Sequence, residues 1–129
     1  KLADGGTLNM KDRNRSGIQA AYADQRAADA RVAQSMRESE AERLAAVAGL
    51  KASTSRTRAA DESVVAAEEA YRLSRIGFDA GRIAQLELRG MRAALINARS
   101  AAVDARLARV VAEIDLARLE GRAPFQEEK

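Results

Sequence analysis

Residues 71–99 read YRLSRIGFDAGRIAQLELRGMRAALINAR, and this stretch decides the fold. Gly77 and Gly81 bracket Phe78, Asp79 and Ala80, with a long alanine- and arginine-rich pattern before them and another after. Glycine reaches positive φ without a Cβ penalty and is the usual residue just past a helix C-terminus. Elsewhere only the ends of the chain carry strong break signals, so the stretch predicts the tip of a helical hairpin.

Working outward, nothing but Gly49 interrupts the helical pattern from about Ser16 to Ile76, and one glycine costs only about 1 kcal/mol relative to alanine. The returning helix is expected from about Ile83 to Glu120, where Gly121 and then Pro124 supply stop signals. The expected organisation is residues 1–15 as a strand remnant or linker and 16–121 as the hairpin. Within it lie a helix over about 16–77, a tip at about 78–82 and a helix over about 83–120, and 122–129 form a C-terminal tail. In the first segment Gly5 and Gly6 precede the short alternation Thr7-Leu8-Asn9-Met10, and Asn14 or Ser16 is a candidate N-cap. Lys1 stands where an initiator methionine would, which is expected of a piece excised from a longer protein.

The composition narrows the function. Aromatic residues make up 3 % of the 129, with no Trp, so apolar volume comes mostly from Ala, Leu and Val and an elongated all-α fold is expected over a compact core. There is no Cys and no His, which removes thiol nucleophiles, disulfides, zinc-finger spacings and imidazole bases together. The 22 basic and 19 acidic residues are interleaved rather than clustered, which with so few aromatics argues against nucleic-acid binding. No apolar run approaches the roughly 20 residues of a membrane-spanning helix, so this segment is not expected to cross a bilayer.

Spacing along the helices says what they pack against. In the first, Ala20, Ala23, Ala27 and Ala30 repeat at three-four-three intervals, continued by Ala41, Leu44 and Ala48. A second stripe holds Val32, Met36, Val47, Leu50, Val64 and Tyr71. In the second helix Ala94, Ala98, Ala101, Ala105, Ala108 and Ala112 form a small-residue seam, and another face carries Ile96, Val103, Leu107, Val110 and Ile114. A sustained period of 3.5 residues marks a supercoiled helix pair. Two stripes on separate faces require neighbours on two sides, as in a layer or tube of helices. At 1.5 Å per residue the first helix would span roughly 90 Å and the second roughly 57 Å, so much of the first is expected to find its partners outside this chain. Residues 51–58, KASTSRTR, are expected to be its least securely packed turn.

Laid out this way, the chain resembles the helical domain of the TolC-like outer-membrane efflux factors, most closely the heavy-metal branch typified by cobalt-zinc-cadmium resistance. The residues that carry the likeness are Phe78-Asp79-Ala80-Gly81, then Leu86-Glu87-Leu88, then Leu95, Asn97, Ala98 and Arg99. Residues 11–18, KDRNRSGI, look like the family's junction into its periplasmic helix, and Leu119-Glu120-Gly121 resembles the close of the returning helix. The resemblance covers roughly residues 7 to 124. It implies a long antiparallel coiled-coil hairpin that is part of a trimeric α-barrel in the parent protein, the periplasmic portion of a bacterial outer-membrane protein. It further implies a homo-trimer docked at its tip to a periplasmic adaptor and an inner-membrane pump, and export of heavy-metal cations.

The match also has departures. The proline that the family often carries before the junction is missing from Thr7-Leu8-Asn9-Met10-Lys11. Where the best-known members hold the closed tip with a Tyr and an Arg, this chain has Phe78 and Ile83, so that polar tether cannot form. Glu87 matches the first of two acidic pore positions, and Gly90 stands at the second.

Phe78, Asp79, Ala80, Gly81 and Arg82 are therefore the candidate adaptor-docking residues, against the plainer reading of an ordinary interhelical turn. Glu87 is the candidate pore-lining carboxylate, against that of a helix-start acid favoured by the macrodipole. Asp61, Glu62, Glu68 and Glu69 read as solvent and salt-bridge residues rather than metal ligands. No residue is assigned to catalysis and no cofactor is expected. The competing function is a coiled-coil interaction scaffold, such as the hairpin of a periplasmic adaptor.

Overall fold

The structure is a computed structural model that describes residues 2–121, with side chains from residue 9 onward. Two helices account for nearly all of it, α1 over Leu2–Asp79 and α2 over Gln85–Leu119. They pack as an antiparallel hairpin, and no strand occurs among the described residues. The chain divides into two units, one ending at Ala41 and one beginning at Glu42.

The first unit is a stretch of α1 whose described side chains, from residue 9 to 41, are all exposed. The helix reaches back to Leu2, so the strand remnant or linker expected over residues 1–15 is replaced by helix from residue 2, and Asn14 and Ser16 lie inside α1 rather than capping it. The physical reason is local. A lone extended segment has no neighbouring strand to take its N–H and C=O groups, whereas the helix satisfies them internally, and Gly5 and Gly6 each oppose it by only about 1 kcal/mol. The tail expected over 122–129 lies outside the described residues.

The second unit holds the hairpin. Along α1 the less exposed residues include Arg43, Ala46, Leu50, Ser53, Thr57, Ala60, Val64, Ala67, Tyr71 and Ser74, at alternating intervals of three and four. Along α2 they include Leu88, Met91, Leu95, Ala98, Ala102, Ala105, Arg109, Ala112 and Leu116, with the same alternation. Both are seams of a heptad coiled coil.

These seams correct part of the sequence reading. Ala98, Ala105 and Ala112 line the interface as expected, but Ala94, Ala101 and Ala108 are exposed, and Leu95 and Ala102 are buried in their place. Leu50, Val64 and Tyr71 face the partner helix, while Ala41, Leu44, Val47 and Ala48 do not. The expected loose turn at 51–58 is anchored instead, for Thr57 is among the most buried side chains, at 6 % exposure. A polar side chain can occupy a seam when the facing helix is lined by alanine and its backbone comes within hydrogen-bonding reach.

The apolar core is correspondingly thin: Leu95, Ala102 and Ala105 are its buried members. A buried methylene contributes about 0.8 kcal/mol, so alanine seams stabilise a helix pair far less than leucine seams do. Larger apolar side chains point outward, among them Val65, Leu73, Ile96, Val103, Leu107 and Val111, each at least half exposed.

Candidate functional site: the hairpin tip

The tip is built by a Schellman closure of α1. The Arg82 N–H donates to the Gly77 carbonyl at 2.8 Å and the Gly81 N–H to the Phe78 carbonyl at 2.9 Å, while Gly81 sits at φ +69°. Carbonyls that would be orphaned at the helix end are thereby satisfied. The backbone conformation itself calls for glycine at residue 81, since a Cβ there would meet nothing within 4 Å.

Gly77 is favoured for a different reason. A Cβ at this position would lie 2.6 Å from Cδ1 of Ile83, so the returning chain folds its isoleucine directly over the glycine. The next residue, Ala84, takes an extended conformation, φ −73° and ψ 150°, and α2 begins at Gln85 without a side-chain cap. α1 runs two residues past its expected end at 77 and α2 starts two residues after its expected start at 83, so this closure sets the turn two residues further along the chain.

The candidate docking residues Phe78, Asp79, Ala80, Gly81 and Arg82 are consecutive at this turn and all exposed. Phe78 is 38 % exposed, Ile76 52 % and Leu86 81 %, so the turn presents apolar side chains alongside its charges. Glu87 is separate from this turn. It lies in the first turn of α2, where the uncapped N–H groups and the helix dipole favour a carboxylate. Ile76 was not singled out from the sequence as a tip residue, although its place beside Gly77 was a signal for it.

Behind the tip, ion pairs tie the helices. Arg106 Nη2 meets Asp61 Oδ1 at 2.7 Å and Arg99 Nη2 meets Glu68 Oε1 at 2.8 Å. The two carboxylates are seven residues apart, as are the two arginines, so the pairs form successive rungs on one flank. Within α1, the Arg72 guanidinium donates to both carboxylate oxygens of Glu69, at 2.8 and 2.7 Å. That bidentate hydrogen bond holds the Glu69 carboxyl below the usual glutamate range and raises Arg72.

The opposite flank is made of small residues. Ala59, Ser63, Ala66 and Ala70 on α1, and Ala94, Ala101 and Ala108 on α2, are exposed there and leave the backbone open to close approach. No group of three or more potential metal-ligating side chains occurs among the described residues. No described helix is long and apolar enough to cross a membrane. The concavities are shallow grooves along the helix surfaces, such as that lined by Tyr71, Arg72, Arg75, Ile76 and Asp79 beside the tip.

The model of the family described as outer membrane efflux protein matches residues 7–122. No curated protein and no solved structure matches the chain at a significant level.

Proposed function

The chain belongs to the outer membrane efflux protein family, a family of channel components rather than enzymes, and from that premise we propose that its hairpin is one stave of a trimeric periplasmic conduit. The observation that carries this reading is the division of the hairpin surface. One flank carries interhelical ion pairs, while the alanine flank and the outward row Ile96, Val103 and Leu107 remain uncovered. A free-standing helix pair has no use for such surfaces, but a tube wall covers them with neighbouring helices.

In this reading the exposed turn of Phe78, Asp79, Ala80, Gly81 and Arg82 docks a periplasmic adaptor, which links the conduit to an inner-membrane pump. Three copies of Glu87, one from each subunit, converge near the mouth. Their mutual repulsion favours opening, and their charge favours cations. The cargo we assign is a heavy-metal cation, on the likeness of the tip and junction residues to that branch of the family. Family membership favours a channel stave over an adaptor hairpin.

The test is Gly81→Asp in the full-length protein, expressed with its pump. Gly81 is exposed with open space around it, so a bulky acid there alters the docking surface and strains one φ angle while leaving the seams untouched. Metal resistance is expected to be lost while trimers still assemble; retained resistance rejects docking through this turn.

A further inference from the structure

The flank that carries the two interhelical ion pairs has a third rung. Asp61 pairs with Arg106 and Glu68 with Arg99, each step being seven residues toward the tip on α1 and seven on α2. The next step brings Arg75 on α1 opposite Arg92 on α2, and here both residues are cations. Both are exposed, and neither forms an ion pair among the described residues. Like charges on facing positions of a helix pair oppose association by about as much as opposite charges favour it, a few tenths of a kcal/mol when exposed.

Arg75 also lines the groove beside the tip, with Tyr71, Arg72, Ile76 and Asp79, a depression of about 320 Å³. Arg72 is engaged with Glu69, and Asp79, one turn beyond Arg75, makes no ion pair with it. The groove therefore offers a free guanidinium and an apolar wall of Tyr71 and Ile76. A second free guanidinium stands across the hairpin.

The geometry points to the Arg75 and Arg92 rung as a receptor for a carboxylate side chain of a protein partner that packs along this flank just behind the tip. The partner supplies in trans the acid that the other two rungs supply in cis. Guanidinium pairs bind carboxylates bidentately, which gives orientation as well as attraction. This deepens the docking role proposed for the tip and rests on it for where the partner lies. The recognition chemistry, however, belongs to residues outside the turn.

The probe is a labelled helical peptide with glutamates at heptad spacing, titrated against the chain by fluorescence anisotropy at low and high salt. Saturable binding is expected that weakens at least tenfold in Arg75→Glu and in Arg92→Glu, and less than twofold in Arg56→Glu, an exposed arginine on the other side of α1. A lysine-spaced peptide is not expected to bind. Because Arg92→Glu completes a third cis rung, its thermal midpoint is expected to rise, which separates lost recognition from lost folding. Equal loss in Arg56→Glu, no binding of the acidic peptide, or a lowered midpoint for Arg92→Glu overturns the inference. None of these results bears on Gly81→Asp, so failure here is distinguishable from failure of docking at the turn.

Discussion

The Thr57 hydroxyl reaches across the hairpin to the backbone carbonyl of Ala105 at 3.1 Å, while also lying 2.9 Å from the Ser53 carbonyl of its own helix. One proton is thus shared between two acceptors on different helices. The relationship is possible only because Ala105 brings no bulk to the interface. It explains how a threonine is buried in a seam whose buried apolar members are alanine and leucine.

From this contact it follows that Thr57→Val, which keeps the shape and removes the donor, destabilises the hairpin by about 0.5–1.5 kcal/mol. Thr57→Leu adds volume between closely spaced backbones and costs about 1–3 kcal/mol. Urea denaturation at fixed protein concentration measures both. A leucine variant as stable as the parent contradicts the close approach.

At the tip, Gly77→Ala and Gly81→Ala are expected to be costly for unlike reasons. Gly81→Ala strains a left-handed φ at about 1–2 kcal/mol, and no second substitution nearby relieves it, since nothing crowds the site. Gly77→Ala collides with Ile83, so its cost falls when Ile83→Ala is added. A double-mutant cycle separates the two: strong coupling for the pair at 77 and 83, and near additivity for 81 and 83.

The Glu69 carboxyl is held down by the Arg72 guanidinium. A carboxyl lowered in the folded state contributes stability that is fully present above its ordinary value and is lost as pH falls through the lowered value. Carboxyl NMR titration is expected to place Glu69 below an ordinary glutamate and to return it upward in Arg72→Gln. Identical titration in the two proteins rejects the pairing.

If the assembled conduit carries a ring of Glu87, Glu87→Gln in the full-length channel lowers cation preference in single-channel recording. The isolated fold is expected to change little, because the residue is exposed and its interaction with the α2 dipole is worth about 0.3–1 kcal/mol. Unaltered selectivity assigns Glu87 to the helix start alone.

Much of this was legible in the sequence. Gly77 and Gly81 announced the turn, and the heptad intervals announced two long helices, because both signals are local. Which of two adjacent alanine rows would face the partner helix was not legible. Ala94, Ala101 and Ala108 have the same period as Leu95, Ala102 and Arg109, and only the register set by the turn and by Thr57 chooses between them. The helical start at Leu2 was obscured by Gly5 and Gly6, which weaken a helix without ending it. The exposed turn at 78–82 was readable from its glycines, whereas the Arg75 and Arg92 rung emerged only after the ion pairs at Asp61 and Glu68 had fixed which residues oppose each other.

The central claim is that this hairpin is shaped to be covered by neighbours along its outward apolar row. Sedimentation velocity across a wide concentration range tests it most directly, with the chain compared to the double variant Val103→Gln and Leu107→Gln. Concentration-dependent association is expected for the chain, and a monomer with undiminished helicity for the variant. A parent chain that remains a stable monomer at every concentration contradicts the account.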